Sequence, residues 1–84
     1  MIDIHYFASV RERLACEHER LQIDSNTNTV ADLVDALIVL HGEPWQRVLK
    51  DERILVAVNQ QISKLQSPVQ DGDEVAFFPP VTGG

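Results

Sequence analysis

The chain has 84 residues, 44% of them apolar, and its thirteen acidic and seven basic side chains leave a formal net charge of −6. That length supports one small core, four glycines and four prolines are too few for a disordered chain, and the acidic balance opposes partners made of phosphate backbone or anionic lipid. Cys16 stands alone, which rules out an intramolecular disulfide, and the longest apolar run, residues 36–40, is far too short to cross a bilayer. With no basic segment at the N-terminus, a cytoplasmic protein with neither a nucleic-acid nor a membrane partner is expected.

Ile2, Ile4 and Tyr6 alternate with Asp3, His5 and Phe7, the period of a first strand. Residues 8–14 carry Val10 and Leu14 at helical spacing, with Ser9 as a candidate cap, and predict a short helix or turn. A second strand is expected over 18–23 with Leu21 and Ile23 facing inward, followed by the polar turn Asp24-Ser25-Asn26-Thr27-Asn28. Thr29, with Asp32 three positions on, forms an approximate capping box that opens the clearest helix of the chain, and Val30, Leu33, Val34, Leu37 and Leu40 share its apolar face. Gly42 ends that helix, and Pro44 begins another over 44–50 whose Trp45, Val48 and Leu49 cover one side of the core.

Ile54-Leu55-Val56-Ala57-Val58 is continuously apolar and rich in branched residues, as a buried strand is. Asn59-Gln60-Gln61 turns it, and Ile62 begins a short return. Asp71-Gly72-Asp73 is a tight turn before the last strand, 74–78. One mixed sheet packed on one principal helix is the simplest α+β solution, occupying residues 1–78 and leaving 79–84 as an extended tail.

Within the body, little carries chemistry. His5, His18 and His41 share no ligand spacing and Cys16 has no second cysteine, so no metal site is expected. Asp71, Asp73 and Glu74 fit a solvated turn around Gly72 better than a catalytic carboxylate pair. The glycines at 42, 72, 83 and 84 build no phosphate loop, and Ser9, Ser25, Ser63 and Ser67 lie in no nucleophile elbow. Neither a self-contained active site nor a cofactor bound by this chain is expected.

The tail is different. Pro79 and Pro80 cannot continue an interior strand, and at roughly 3.3 Å per residue the segment 79–84 reaches about 20 Å, enough to enter a partner's pocket. Gly83 and Gly84 leave the terminal carboxylate unhindered by any Cβ, able to thread a narrow channel. A carboxylate is inert toward nucleophiles until its oxygen becomes a leaving group, which adenylation by an ATP-using partner would achieve. The plainer reading is a frayed end or a cloning remnant.

The ending Asp71-Gly72-Asp73-Glu74-Val75-Ala76-Phe77-Phe78-Pro79-Pro80-Val81-Thr82-Gly83-Gly84 resembles that of the small subunits of molybdopterin synthase, the MoaD-type sulfur carriers. Tyr6-Phe7-Ala8-Ser9-Val10-Arg11-Glu12 is similar to their first strand and turn, and Val58-Asn59 fits as well. The resemblance implies a ubiquitin-like β-grasp fold. It implies adenylation of Gly84 by a MoeB-type enzyme using ATP, conversion to a thiocarboxylate with sulfur from a donor enzyme, and insertion of the tail into a MoaE-type large subunit within a heterotetramer. There sulfur would pass to cyclic pyranopterin monophosphate, with the acid and base groups supplied by the large subunit. Val81, Thr82 and Gly83 would line the tail's passage with Pro79 and Pro80, and Phe7, Arg11, Ile62 and Phe78 would form the docking surface. Phe7 and Phe78 are equally readable as core. Ala15-Cys16 stand where many relatives carry glycine, a departure expected to concern peripheral packing, and residues 40–52 have no assigned counterpart. The alternatives are a carrier for another pathway such as thiazole formation, a protein modifier joined to lysines through Gly84, and a plain β-grasp interaction module.

Overall fold

The computed structural model describes residues 1–80. Its elements run β1 (Ile2–Tyr6), α1 (Ala8–Leu14), β2 (His18–Leu21), α2 (Val30–His41), α3 (Glu43–Leu49), β3 (Leu55–Val58), β4 (Gln61–Ser63) and β5 (Glu74–Phe78). The strands form one sheet in the order β2-β1-β5-β3-β4. β1 and β5 are parallel, with Ile4 level with Val75 and Tyr6 with Phe77, and every other pair is antiparallel. The mixed α+β architecture expected from the sequence is therefore present.

Alternation decides what each face of the sheet does. Ile2, Ile4 and Tyr6 on β1, Val75 and Phe77 on β5 and Val56 on β3 point to one side and are buried. Val10 and Leu14 of α1, Val30, Leu33, Val34 and Leu37 of α2, and Trp45, Val48 and Leu49 of α3 close over them in one core. Burial of apolar side chains is the dominant stabilising term in a domain of this size, about 1.5–3 kcal/mol for each fully buried Leu, Ile, Val or Phe. Helix α2 is set by the predicted reciprocal cap: the Thr29 hydroxyl accepts from the Asp32 N–H at 3.2 Å, and the Asp32 carboxylate accepts from the Thr29 N–H at 3.2 Å. A third N–H, that of Asn28, reaches the same carboxylate at 3.0 Å, and these backbone donors hold the Asp32 carboxyl below its ordinary range.

Several boundaries differ from the sequence reading. Leu40 is not on the buried face but 58% exposed, because the buried positions of α2 end at Leu37, one turn earlier, and Gly42 then redirects the chain with φ +88°. β2 stops at Leu21, two residues early, and Ile23 packs on the core from an irregular segment. Ser9 does not cap α1; Phe7 occupies the cap position with extended backbone and no side-chain bond. The β3-β4 turn consists of Asn59 and Gln60, both at positive φ as a two-residue hairpin of the primed type demands.

At Ala15-Cys16, where the resemblance implies glycine, the structure shows a constraint on the backbone of Ala15. Ala15 ends α1 in the left-handed region at φ 52°, ψ 39°, and its N–H returns to the Glu12 carbonyl. Glycine is the usual residue there because a Cβ costs roughly 1–2 kcal/mol in that conformation.

A polar network crosses the core. Trp45 Nε1–H donates to the Tyr6 hydroxyl at 2.9 Å, the hydroxyl donates to Glu19 Oε2 at 2.8 Å, and His41 Nε2 lies 2.7 Å from Glu19 Oε1. The His41 ring stacks on Trp45 at 3.9 Å, so one chain of contacts ties β1, β2, α2 and α3 together. Burial pushes the Tyr6 hydroxyl far above the ordinary phenol range, which keeps it a donor to Glu19.

Two outcomes follow for stability. Tyr6→Phe strands the Trp45 N–H and should cost about 1–3 kcal/mol, a fall in melting temperature of roughly 5 °C or more; a variant melting with the wild type would show that the network contributes nothing. Ala15→Gly should raise stability by up to about 1 kcal/mol, since relief of the left-handed strain exceeds the added chain entropy, while Ala15→Val should lower it. Urea unfolding with unchanged m would read both.

Candidate functional site

The face of the sheet opposite the core carries the sequence-predicted residues. One cross-strand row runs over all five strands: His18 beside His5, His5 beside Ala76, Ala76 beside Ala57, and Ala57 beside Ile62. The next row toward the C-terminal ends of β1 and β5 holds Phe78 paired with Leu55. Phe7, whose N–H donates to the Phe77 carbonyl at 3.0 Å, extends β1 by one residue on the same outer face. The two central alanines leave a depression of about 230 Å³ walled by His5, Phe7, Gln60 and Glu74.

The question of core or surface for the two phenylalanines has an answer in the register. Phe77, at 3% exposure, is the core residue, stacked on Tyr6 at 6.0 Å; Phe78 turns the other way and is half-buried. Phe7 is 48% and Ile62 71% exposed, which leaves two large apolar side chains open to solvent on this face. Arg11 is exposed one turn into α1, beyond Phe7. The structure thus gathers Phe7, Ile62 and Phe78 on one face, with Arg11 on the helix that follows its edge.

Sequence reasoning missed Leu55, Ala57 and Ala76 on this face, although alternation from Val56 and Phe77 would have placed them. It also missed the charged half of the face. His5 Nε2 lies 3.1 Å from Glu74 Oε2, His18 Nε2 lies 3.5 Å from Asp3 Oδ1, and Arg20 Nε–H donates to the same oxygen at 2.8 Å. The two imidazoles stack at 4.5 Å. Arg20 beside it lowers the Asp3 carboxyl from its ordinary value. No group of three metal-ligating side chains exists among the described residues, and none of their helices is long and apolar enough to cross a membrane. Cys16 is half-buried, and burial, aided by Glu19, pushes its thiol up, away from a reactive thiolate.

β5 lies at the centre of the sheet and ends at Phe78, where Pro79 and Pro80 leave the ladder. Pro79 is half-buried and Pro80 exposed. Val81, Thr82, Gly83 and Gly84 lie outside the described residues.

A mixed five-stranded sheet folded around one long helix, with its central strand running out into a proline-led tail, defines a ubiquitin-like β-grasp protein. The chain belongs to the ThiS family, which it matches over residues 4–84. It is 39% identical to the molybdopterin synthase sulfur carrier subunit of Haemophilus influenzae, with both chains covered in full. It is 40% identical to the Escherichia coli protein of the same name, again over the full length of both. Among solved structures, that of Haloferax volcanii small archaeal modifier protein 1 superposes with a TM-score of 0.76 at 30% identity, covering 95% of this chain and 97% of that one.

The two neighbouring phenylalanines of β5 should respond oppositely to truncation. Phe77→Ala should cost about 3–5 kcal/mol, enough to unfold much of the population, whereas Ile62→Ala should stay within about 0.5 kcal/mol of wild type. Phe78→Ala should fall between them; equal losses at 77 and 78 would show that both faces of β5 are core.

Proposed function

We propose that this protein is the sulfur-carrying small subunit of molybdopterin synthase, with Gly84 as the donor. The observation that carries the reading is the match to carrier subunits over their whole length, together with a family match that runs through Gly83 and Gly84. The open sheet face supports it, since a carrier without an active site of its own must be recognised by enzymes that have one.

The chemistry starts at the carboxylate. A MoeB-type enzyme transfers the adenylyl group of ATP to the Gly84 carboxylate and releases pyrophosphate; a donor enzyme's sulfur then displaces AMP, leaving a thiocarboxylate. In the MoaE-type large subunit this sulfur is transferred to cyclic pyranopterin monophosphate, and the carboxylate is regenerated by water. Val81, Thr82 and Gly83 thread the channel behind Pro79 and Pro80, and the absence of side chains on the two glycines lets the acyl carbon approach its reaction partners. Phe7, Phe78 and Ile62 dock the body, with Arg11 at the margin, and a cytoplasmic location in a two-large, two-small heterotetramer accords with this role. ATP is a substrate of the activating partner, and this chain holds no cofactor.

A second reading, protein modification, is favoured by the likeness to the archaeal protein named a small modifier. Both readings require an activated Gly84, and they part at the acceptor.

Incubation with ATP, the activating enzyme and a sulfur source should add the mass difference between sulfur and oxygen at Gly84. Adding one residue after Gly84 should abolish molybdopterin formation with the melting temperature unchanged. An extended chain that still supports product formation would refute the carrier role, and lysine conjugates without sulfur incorporation would favour modification.

A further inference from the structure

The basic residues of this acidic chain are unevenly engaged. Arg20, Arg47, Lys50 and Arg53 each hold a carboxylate, those of Asp3, Glu43, Asp35 and Asp51. Lys64 and, on α1, Arg11 and Arg13 have no ion-pair partner among the described residues, although acidic residues outnumber basic ones by thirteen to seven.

Arg13 stands at the foot of the tail. It shares a depression of about 250 Å³ with Ser9, Asp51, Arg53, Pro79 and Pro80, and on its other side it lines a second with Glu43 and Arg47. The one carboxylate in the first depression is already taken: Arg53 grips Asp51 through Nε and Nη2 at 3.2 and 3.0 Å, and the Arg53 N–H adds a bond at 2.9 Å. Glu43 is likewise held by Arg47. Two guanidinium groups, those of Arg13 and Arg53, therefore line the tail's exit against one engaged carboxylate, a local excess of positive charge.

The opposite end of the sheet has the reverse sign. Parallel pairing puts the starts of β1 and β5 together, and Asp71, Asp73 and Glu74 gather there beside Asp3. The depression at the tail's foot thus carries two guanidinium groups to one carboxylate, while the far end sets four carboxylates against Arg20 and the N-terminal ammonium.

We propose that the tail's foot is a second docking site, centred on Arg13 with Arg53 beside it, for an acidic rim around the channel of the large subunit. The inference rests on the carrier reading above. A protein that grips Pro79 and Pro80 must bring its channel wall against Arg13. A carboxylate-lined rim would attract this end and repel the remainder of a chain of net charge −6, so encounters would be steered tail first. Arg53 remains 79% exposed while holding Asp51, which leaves its outer N–H groups for the rim.

The test is stopped-flow association of the full chain with the large subunit from the same organism, from low to physiological salt. Arg13→Glu should slow association about ten-fold or more at low salt, with a shallower salt dependence and an unchanged melting temperature. Arg13→Gln and Gln22→Glu alter net charge equally, and Gln22, which follows Leu21 at the far end of β2, should have little effect. Wild-type rates for Arg13→Glu, or equal slowing by the other two variants, would overturn the inference and leave the carrier role standing. No association of the unaltered chain would overturn both.

Discussion

The parallel pairing of β1 with β5 is the contact on which the remainder of the molecule depends. It joins the first and last strands, separated by most of the chain, and neither strand is at an edge. From it follow the position of the core, because Ile2, Ile4, Tyr6, Val75 and Phe77 all turn the same way, and the composition of the open face, because His5, Phe7, Ala76 and Phe78 must then turn the other. It also fixes where the tail starts. The chain leaves β5 at the end where α1 begins, so the tail's foot and the helix bearing Arg11 and Arg13 are neighbours by topology. Contacts of such sequence separation are entropically costly to close, and in a domain this small one strand pair fixes both stability and the placement of function.

Much of this was legible along the chain, and the reason is local. Alternation in residues 2–7, the Thr29 and Asp32 pair, Gly42 before Pro44, and the turn at Asp71 to Asp73 are signals carried within a few residues, and each became the element it predicted. What escaped was non-local. Nothing in the sequence connects Tyr6, Glu19, His41 and Trp45, which meet only after four elements have packed. The apolar run 54–58 read as buried on both faces, yet Leu55 and Ala57 belong to the open side because no helix covers it. Leu40 fits the helical stripe by spacing and fails it by position, since the core ends one turn earlier. Of the candidate site, Phe7, Ile62 and Phe78 were found by resemblance, and their sharing of one face required the register.

The division of labour in the molecule follows from the chemistry of its tip. On the proposed carrier role, a glycine carboxylate offers no selectivity and, unactivated, no reactivity, so recognition would fall to the body and catalysis to partners. The two surfaces proposed for this role differ physically. The sheet face offers apolar area, which contributes most to affinity once desolvated, bordered by the His5, Glu74, His18, Asp3 and Arg20 cluster, which constrains orientation. The tail's foot offers Arg13 and Arg53 against the single carboxylate of Asp51, and charge of this kind acts at longer range than apolar contact and chiefly on the rate of encounter.

A carrier of the proposed kind would leave its apolar face uncovered between encounters, and such a face on a sheet invites self-association. The edges oppose it. β4 is three residues long and β2 four, too short to template a long ladder, and β2 carries His18, Glu19 and Arg20 along its length. Two copies meeting through their open faces would each have to bury the charged cluster beside His5 as well as Phe7 and Ile62, and desolvating those ions offsets what the apolar contact contributes. A partner with complementary charges incurs less of that cost, so the same five polar residues that border the docking face also discriminate against the chain's own copies.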